Sequence, residues 1–110
     1  MLKGPLSNQQ DLERLTGLFR LLSDRTRLHI LLLLAGGERN VSNLCEELGL
    51  PQPTVSHHLG LLRLHEIIVN RRSGKQVFYA LSPKMNLGRP DSANFEVDGF
   101  RVEIAPSTRQ

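Results

Sequence analysis

The sequence of 110 residues has a single cysteine, Cys45, one tyrosine and no tryptophan. A lone cysteine excludes an internal disulfide framework and suits a reducing compartment, so the expected location is the cytoplasm. No apolar run approaches the ~18–20 residues that a membrane-spanning helix needs. The longest, Ile30–Ala35, lies between charged segments and reads as a buried helix. The opening MLKGPLSNQQ lacks the apolar core of a secretory signal. Also missing are a nucleophile with a neighbouring base, a glycine-rich phosphate loop and paired carboxylates, so neither an enzyme nor a cofactor is expected. Without internal repeats, and at a length typical of one domain, the chain reads as one small globular unit. A unit of this size is often helped by a partner subunit.

A large net charge is lacking too, but the small excess of +3 is concentrated. Six Lys/Arg balance six Asp/Glu in residues 1–50, and four balance four in residues 77–110. Residues 51–76 hold Arg63, Arg71, Arg72 and Lys75 against Glu66 alone, together with three of the four histidines. Such a segment suits a polyanion, because each cation that meets a phosphate releases condensed counterions. Charge alone does not separate this from a solvated basic face.

Hydrophobic spacing supplies the elements. Leu12, Leu15, Leu18, Phe19 and Leu22 recur at helical intervals, predicting a first helix over about Asn8–Leu22. Ser23 offers an N-cap for a second, Asp24 to about Ala35, which Gly36-Gly37 stops. A short third helix begins near Ser42, its expected cap, turns Leu44, Cys45 and Leu48 inward and ends at Gly49. After Pro51 a fourth runs over roughly Gln52–His65, with Val55, Leu59 and Leu62 as its buried stripe and His58 beside them as a packed, hydrogen-bonded residue. The period then changes. Ile67–Arg72 and Lys75–Leu81 read as strands joined at Ser73-Gly74. Two short helices in tandem followed by a basic hairpin describe a winged helix-turn-helix over residues 1–83, mainly α with a small β wing (α+β).

Residues 84–110 form a separate extension in this reading. Pro83, Gly88 and Pro90 prevent a long helix, and Asp98-Gly99 signals a tight hairpin. Pairing across that turn sets Val97 opposite Phe100, Phe95 opposite Val102 and Glu96 opposite Arg101, so that apolar meets apolar and minus meets plus.

In a helix-turn-helix the second helix enters the major groove with its N-terminal residues towards the base edges. Here that helix carries Gln52, Thr54, Ser56, His57 and Arg63 away from its apolar stripe. Gln52 can pair with an adenine edge, and the others are hydrogen-bonding or cationic groups. Arg71, Arg72, Lys75 and Gln76 surround the wing tip, within reach of phosphates or the minor groove. Double-stranded DNA is the expected partner. A polar helix end is common by itself; a basic hairpin in the right order after it is a second, independent signal.

LSDRTRLHILLLL, VSNLCEELGLPQPTVSHHLGLLR and RRSGKQVFYALSP together resemble the ArsR/SmtB winged-helix repressors over roughly residues 10–83. The resemblance implies a homodimer on an operator palindrome, released by a ligand. Metal-sensing members commonly carry a Cys-x-Cys pair, and the matching positions here are Asn40 and Ser42. Their other common site lies on a C-terminal helix rich in Asp and His, whereas no histidine follows Tyr79 here. One thiolate cannot build a trigonal sulfur site, so no metal site is expected and the effector is unassigned. Family dimers usually use the first and last helices. The expected seam is therefore Leu12, Leu15 and Phe19 with Phe95, Val97, Phe100 and Val102 of the hairpin replacing the last helix. Two alternatives stand beside a repressor: a winged-helix module that binds protein, and a metal sensor built unusually from His57, His65 and tail carboxylates.

Overall fold

The computed structural model describes residues 9–85, 93–97, 100–105 and 107. They form four helices, α1 (Gln9–Leu22), α2 (Arg25–Ala35), α3 (Val41–Leu48) and α4 (Gln52–Leu64), and five strands. The strands are β1 (Arg39–Asn40), β2 (Ile68–Ser73), β3 (Gln76–Leu81), β4 (Ala93–Val97) and β5 (Phe100–Ile104). The fold is the mainly helical winged helix-turn-helix with a C-terminal β-hairpin that the hydrophobic pattern implied.

Helix ends follow the backbone chemistry, with two corrections. Asp24, not Ser23, caps α2: its backbone is extended and its carboxylate accepts the Arg27 N–H at 3.0 Å. Ser23 instead closes α1, its hydroxyl donating to the Arg20 carbonyl at 2.8 Å. Asn40, not Ser42, caps α3, accepting the Asn43 N–H at 2.7 Å. The helix begins at Val41, so Ser42 already lies inside its first turn. Gly37 at φ +137° lets the chain leave α2, a backbone conformation that side chains resist. Gly49, at φ +66°, ends α3 in the left-handed conformation and donates to the Cys45 carbonyl.

The core gathers Ile30, Leu31 and Leu34 of α2, Leu44 of α3, the α4 stripe, and Ile67, Ile68 and Leu81 around the wing. Val55, Leu59 and Leu62 are 0–1% exposed, as their spacing predicts. The three-stranded sheet has the order β1-β3-β2. β1 has no counterpart in the sequence reading, because two residues carry no period; pairing of Arg39 with Tyr79 and Asn40 with Phe78 makes it a strand. The wing turn sits one residue later than expected, at Gly74-Lys75, since Ser73 pairs with Gln76. Gly74 takes φ +64°, the role glycine serves in two-residue turns. Between α4 and β2, Glu66 takes φ +61°, unusual for a side-chain-bearing residue.

β4 and β5 pair in the expected register, Val97 with Phe100, Phe95 with Val102 and Glu96 with Arg101. The expected turn residues Asp98 and Gly99, the breakers Gly88 and Pro90, and the Asn8 start of α1 lie outside the described residues. β4 packs against α1 and α2, with Ala93 fully buried in the common core and Val102 and Ile104 against it.

Candidate nucleic-acid interface

Because one face of α4 is consumed by Val55, Leu59 and Leu62, its other faces are presented to solvent. Gln52, Thr54, Ser56, His57 and Arg63 are all exposed. Pro53 sits in the first turn, where its missing N–H costs nothing, and Pro51 supplies no side-chain cap. The N-terminal turn of α4 thus displays short polar groups on a rigid support.

His58, one residue from His57, behaves differently. Its side chain is 13% exposed, and its Nδ1 lies 3.2 Å from an Arg27 guanidinium nitrogen, in accord with the packed, hydrogen-bonded reading. The guanidinium can only donate, so in this hydrogen bond Nδ1 is the acceptor. The two histidine rings meet edge-on at 5.3 Å. His65, at the other end of α4, places Nδ1 2.9 Å from the Leu61 carbonyl. His29 is exposed on α2.

The wing cations divide into two kinds. Arg71 forms two parallel 2.8 Å hydrogen bonds to Glu38, and its guanidinium stacks 4.7 Å from the centre of the Phe78 ring. That hydrogen-bonded pairing holds the Glu38 carboxyl below its ordinary pKa and raises that of Arg71. Arg72 and Lys75 are exposed and form no ion pair among the described residues. Gln76 is also engaged, its carbonyl oxygen accepting from the Asn40 side chain at 3.3 Å. Glu38 and Asn40 escaped sequence reasoning. Both lie more than thirty residues from the wing side chains they hold, at separations of 33 and 36, and no local pattern announces either.

Between the start of α3, the start of α4 and the wing lies an open groove of about 690 Å³, lined by residues that include Ser42, Cys45, Gln52 and Lys75. Cys45 is half-buried there. Among the described residues no three or more His, Cys, Asp or Glu side chains converge as a metal site would require.

The expected seam is only partly covered by its own chain. Leu15 and Val102 are half-buried, whereas Leu12 is 45% and Phe19 54% exposed. The side chains of Phe95, Val97 and Phe100 lie outside the described residues. No helix among the described residues is long and apolar enough to cross a membrane.

This geometry has relatives. The family model described as "Bacterial regulatory protein, arsR family" matches residues 24–68, from the cap of α2 to the first residue of β2. The arsenical resistance operon repressor of Escherichia coli (strain K12) is 49% identical over 67 residues, covering 60% of this chain and 57% of that protein. The transcriptional repressor SdpR of Bacillus subtilis (strain 168) is 35% identical over 68 residues, covering 62% of this chain and 76% of that protein. Among solved structures, the homodimeric winged helix-turn-helix DNA-binding domain of a possible ArsR-family regulator from Mycobacterium bovis superimposes with a TM-score of 0.62 at 28% identity, covering 74% of this chain and 76% of that one. The chain thus spans little more than half the length of the Escherichia coli repressor. These relatives are transcriptional regulators, not enzymes.

Proposed function

We propose that this chain, which belongs to the arsR family of bacterial regulatory proteins, is a sequence-specific repressor that binds an operator palindrome in double-stranded DNA as a homodimer. One observation carries the reading. α4 holds Gln52, Thr54, Ser56 and His57 exposed on a buried apolar stripe, beside a wing whose Arg72 and Lys75 have no ion-pair partner among the described residues. α4 reads base edges, and Arg63, Arg72 and Lys75 meet phosphate. Arg71 and Gln76, held by Glu38 and Asn40, brace the wing. The homodimer reading is supported by the exposed Leu12 and Phe19 beside the C-terminal hairpin, and by the homodimeric relative from Mycobacterium bovis. Release by a thiophilic metal on a cysteine pair is not part of the proposal: at those positions stand Asn40, which caps α3, and Ser42.

Duplexes selected from a random-sequence pool, followed by affinity titrations against salt, test this reading. The expected result is enrichment of a two-fold symmetric sequence and affinity falling steeply with salt, by a factor set by the number of phosphates contacted. Replacing Gln52 with alanine should cost on the order of 1–3 kcal/mol at particular base pairs. Failure to enrich any duplex, or salt-independent binding, would leave the wing and helix as a protein-docking surface instead.

A further inference from the structure

We propose that Arg27 is the positioning residue of the reading helix: its guanidinium bridges the α1–α2 corner to His58 and so sets the roll of α4 about its own axis. The inference rests on the DNA-binding reading above and concerns how that site is aimed.

Arg27 lies on α2, is not itself among the residues assigned to DNA, and its side chain is only 16% exposed. Its Nε donates to the Leu21 carbonyl at 2.7 Å, one of the last carbonyls of α1, which the helix itself leaves without a partner. A terminal nitrogen of the same rigid plane reaches His58 Nδ1 at 3.2 Å. The nearest carboxylate, Asp24, stands 3.9 Å from that nitrogen, beyond hydrogen-bond length, and already accepts the Arg27 backbone N–H. The guanidinium is withdrawn from water and hydrogen-bonds a carbonyl and an imidazole, while Asp24 stands 3.9 Å from both Arg27 and His58 as a looser ionic neighbour. The guanidinium acts as a strut, because one planar group fixes two partners in different directions.

The apolar stripe alone leaves α4 some freedom. Dispersion and burial are non-directional, so Val55, Leu59 and Leu62 resist lifting of the helix better than they resist rolling. A helix with its side chains has a radius of about 5–6 Å, so a roll of about 10° carries the side-chain tips about 1 Å sideways. That shift is enough to spoil hydrogen bonds to base edges, whose strength falls steeply with distance and angle. The Arg27–His58 bond is directional and stands on the flank of the helix, next to the exposed His57. It supplies the restraint that the stripe lacks, and anchors it to the corner where α1 ends.

The test uses the full chain and two probes, a duplex selected from a random pool and a random-sequence duplex, each titrated over a range of salt. Arg27→Gln is expected to weaken binding to the selected duplex on the order of tenfold, the size of one lost base-edge contact. Binding to the random duplex and the salt slope should both stay unchanged. His58→Leu should reproduce that loss, and combining it with Arg27→Gln should add nothing further. His58→Asn, which offers an acceptor oxygen near the place of Nδ1, should recover most of the selectivity. Selective affinity retained by Arg27→Gln, or a salt slope reduced by about one, as loss of a phosphate contact produces, would overturn the inference. So would an equal loss in His58→Asn and His58→Leu, since packing alone would then explain both. The His58 pair decides the matter even where an Arg27 variant does not fold, as a thermal melt would reveal. If the unaltered chain prefers no duplex, the DNA-binding reading itself fails, and the inference falls with it.

Discussion

Two amphipathic helices of similar length, α1 with 14 residues and α4 with 13, end in opposite situations. α4 buries Val55, Leu59 and Leu62 completely and, apart from Leu64 as its last residue, shows solvent a row of polar groups. α1 buries only its C-terminal end, Leu21 and Leu22, and leaves Leu12 and Phe19 about half exposed. The uncovered face of α4 therefore suits a hydrated, charged partner. That of α1 suits another apolar surface, and a second copy of the chain supplies one. Sequence spacing alone makes the two helices look alike; what differs is how much of the apolar face the rest of the chain covers.

The contrast can be broken in four ways, in order of decreasing effect. Leu62→Ala empties a site with no exposure and should cost about 2–5 kcal/mol by urea denaturation. A loss well under 1 kcal/mol would mean that α4 is not seated as described. Phe19→Ala should weaken self-association by about 1–2 kcal/mol, part of the value of burying a full aromatic ring. Sedimentation over a concentration series would show it, while a monomeric association state in the unaltered chain would remove the premise.

Asp24→Ala, at the corner between α1 and α2, should cost roughly 0.5–2 kcal/mol through loss of the α2 cap. The Arg27 N–H bond, aided by the charge of Arg27, holds the Asp24 carboxyl below its ordinary pKa. The folded-state pKa thus lies below the unfolded one, so this stabilisation is fully present above the unfolded value and fades as pH falls through the folded one. Melting curves of Asp24→Asn should lack that acid-side decline, and an unchanged decline would assign it to other carboxyls. Smallest is the wing comparison. Arg72→Ala should reduce the salt slope of DNA binding by about one, whereas Arg71→Ala should leave the slope nearly as it was. Equal reductions would show that Arg71 leaves Glu38 to meet phosphate.

Much of this was legible in the sequence because the signals were local. The 3.6-residue period placed α4 and its three buried side chains, and Asp98-Gly99 with alternating partners gave the β4–β5 register residue by residue. Caps and turns were displaced by one or two residues, since neighbouring Ser, Asp and Asn compete for the same role and backbone geometry selects among them. β1, the Glu38–Arg71 pair and the Arg27–His58 bond were invisible for another reason. Each is defined by a partner at least 31 residues away, and none leaves a periodic trace.

The junction at Glu66 has a consequence for the length of the chain. Side chains alternate across a strand, so adjacent Arg71 and Arg72 point to opposite faces of the wing, one clamped by Glu38 and one without an ion pair among the described residues. Which arginine takes which part is counted from the end of α4, through Glu66 and the buried Ile67 and Ile68. Insertion of one uncharged residue between Leu64 and Ile67, propagated along β2, would keep the net charge but move each arginine to the opposite face, carrying Arg71 into the place of Arg72 and setting Asn70 where Arg71 meets Glu38. The arrangement of charge on this wing is therefore set by a count of residues as much as by their kind.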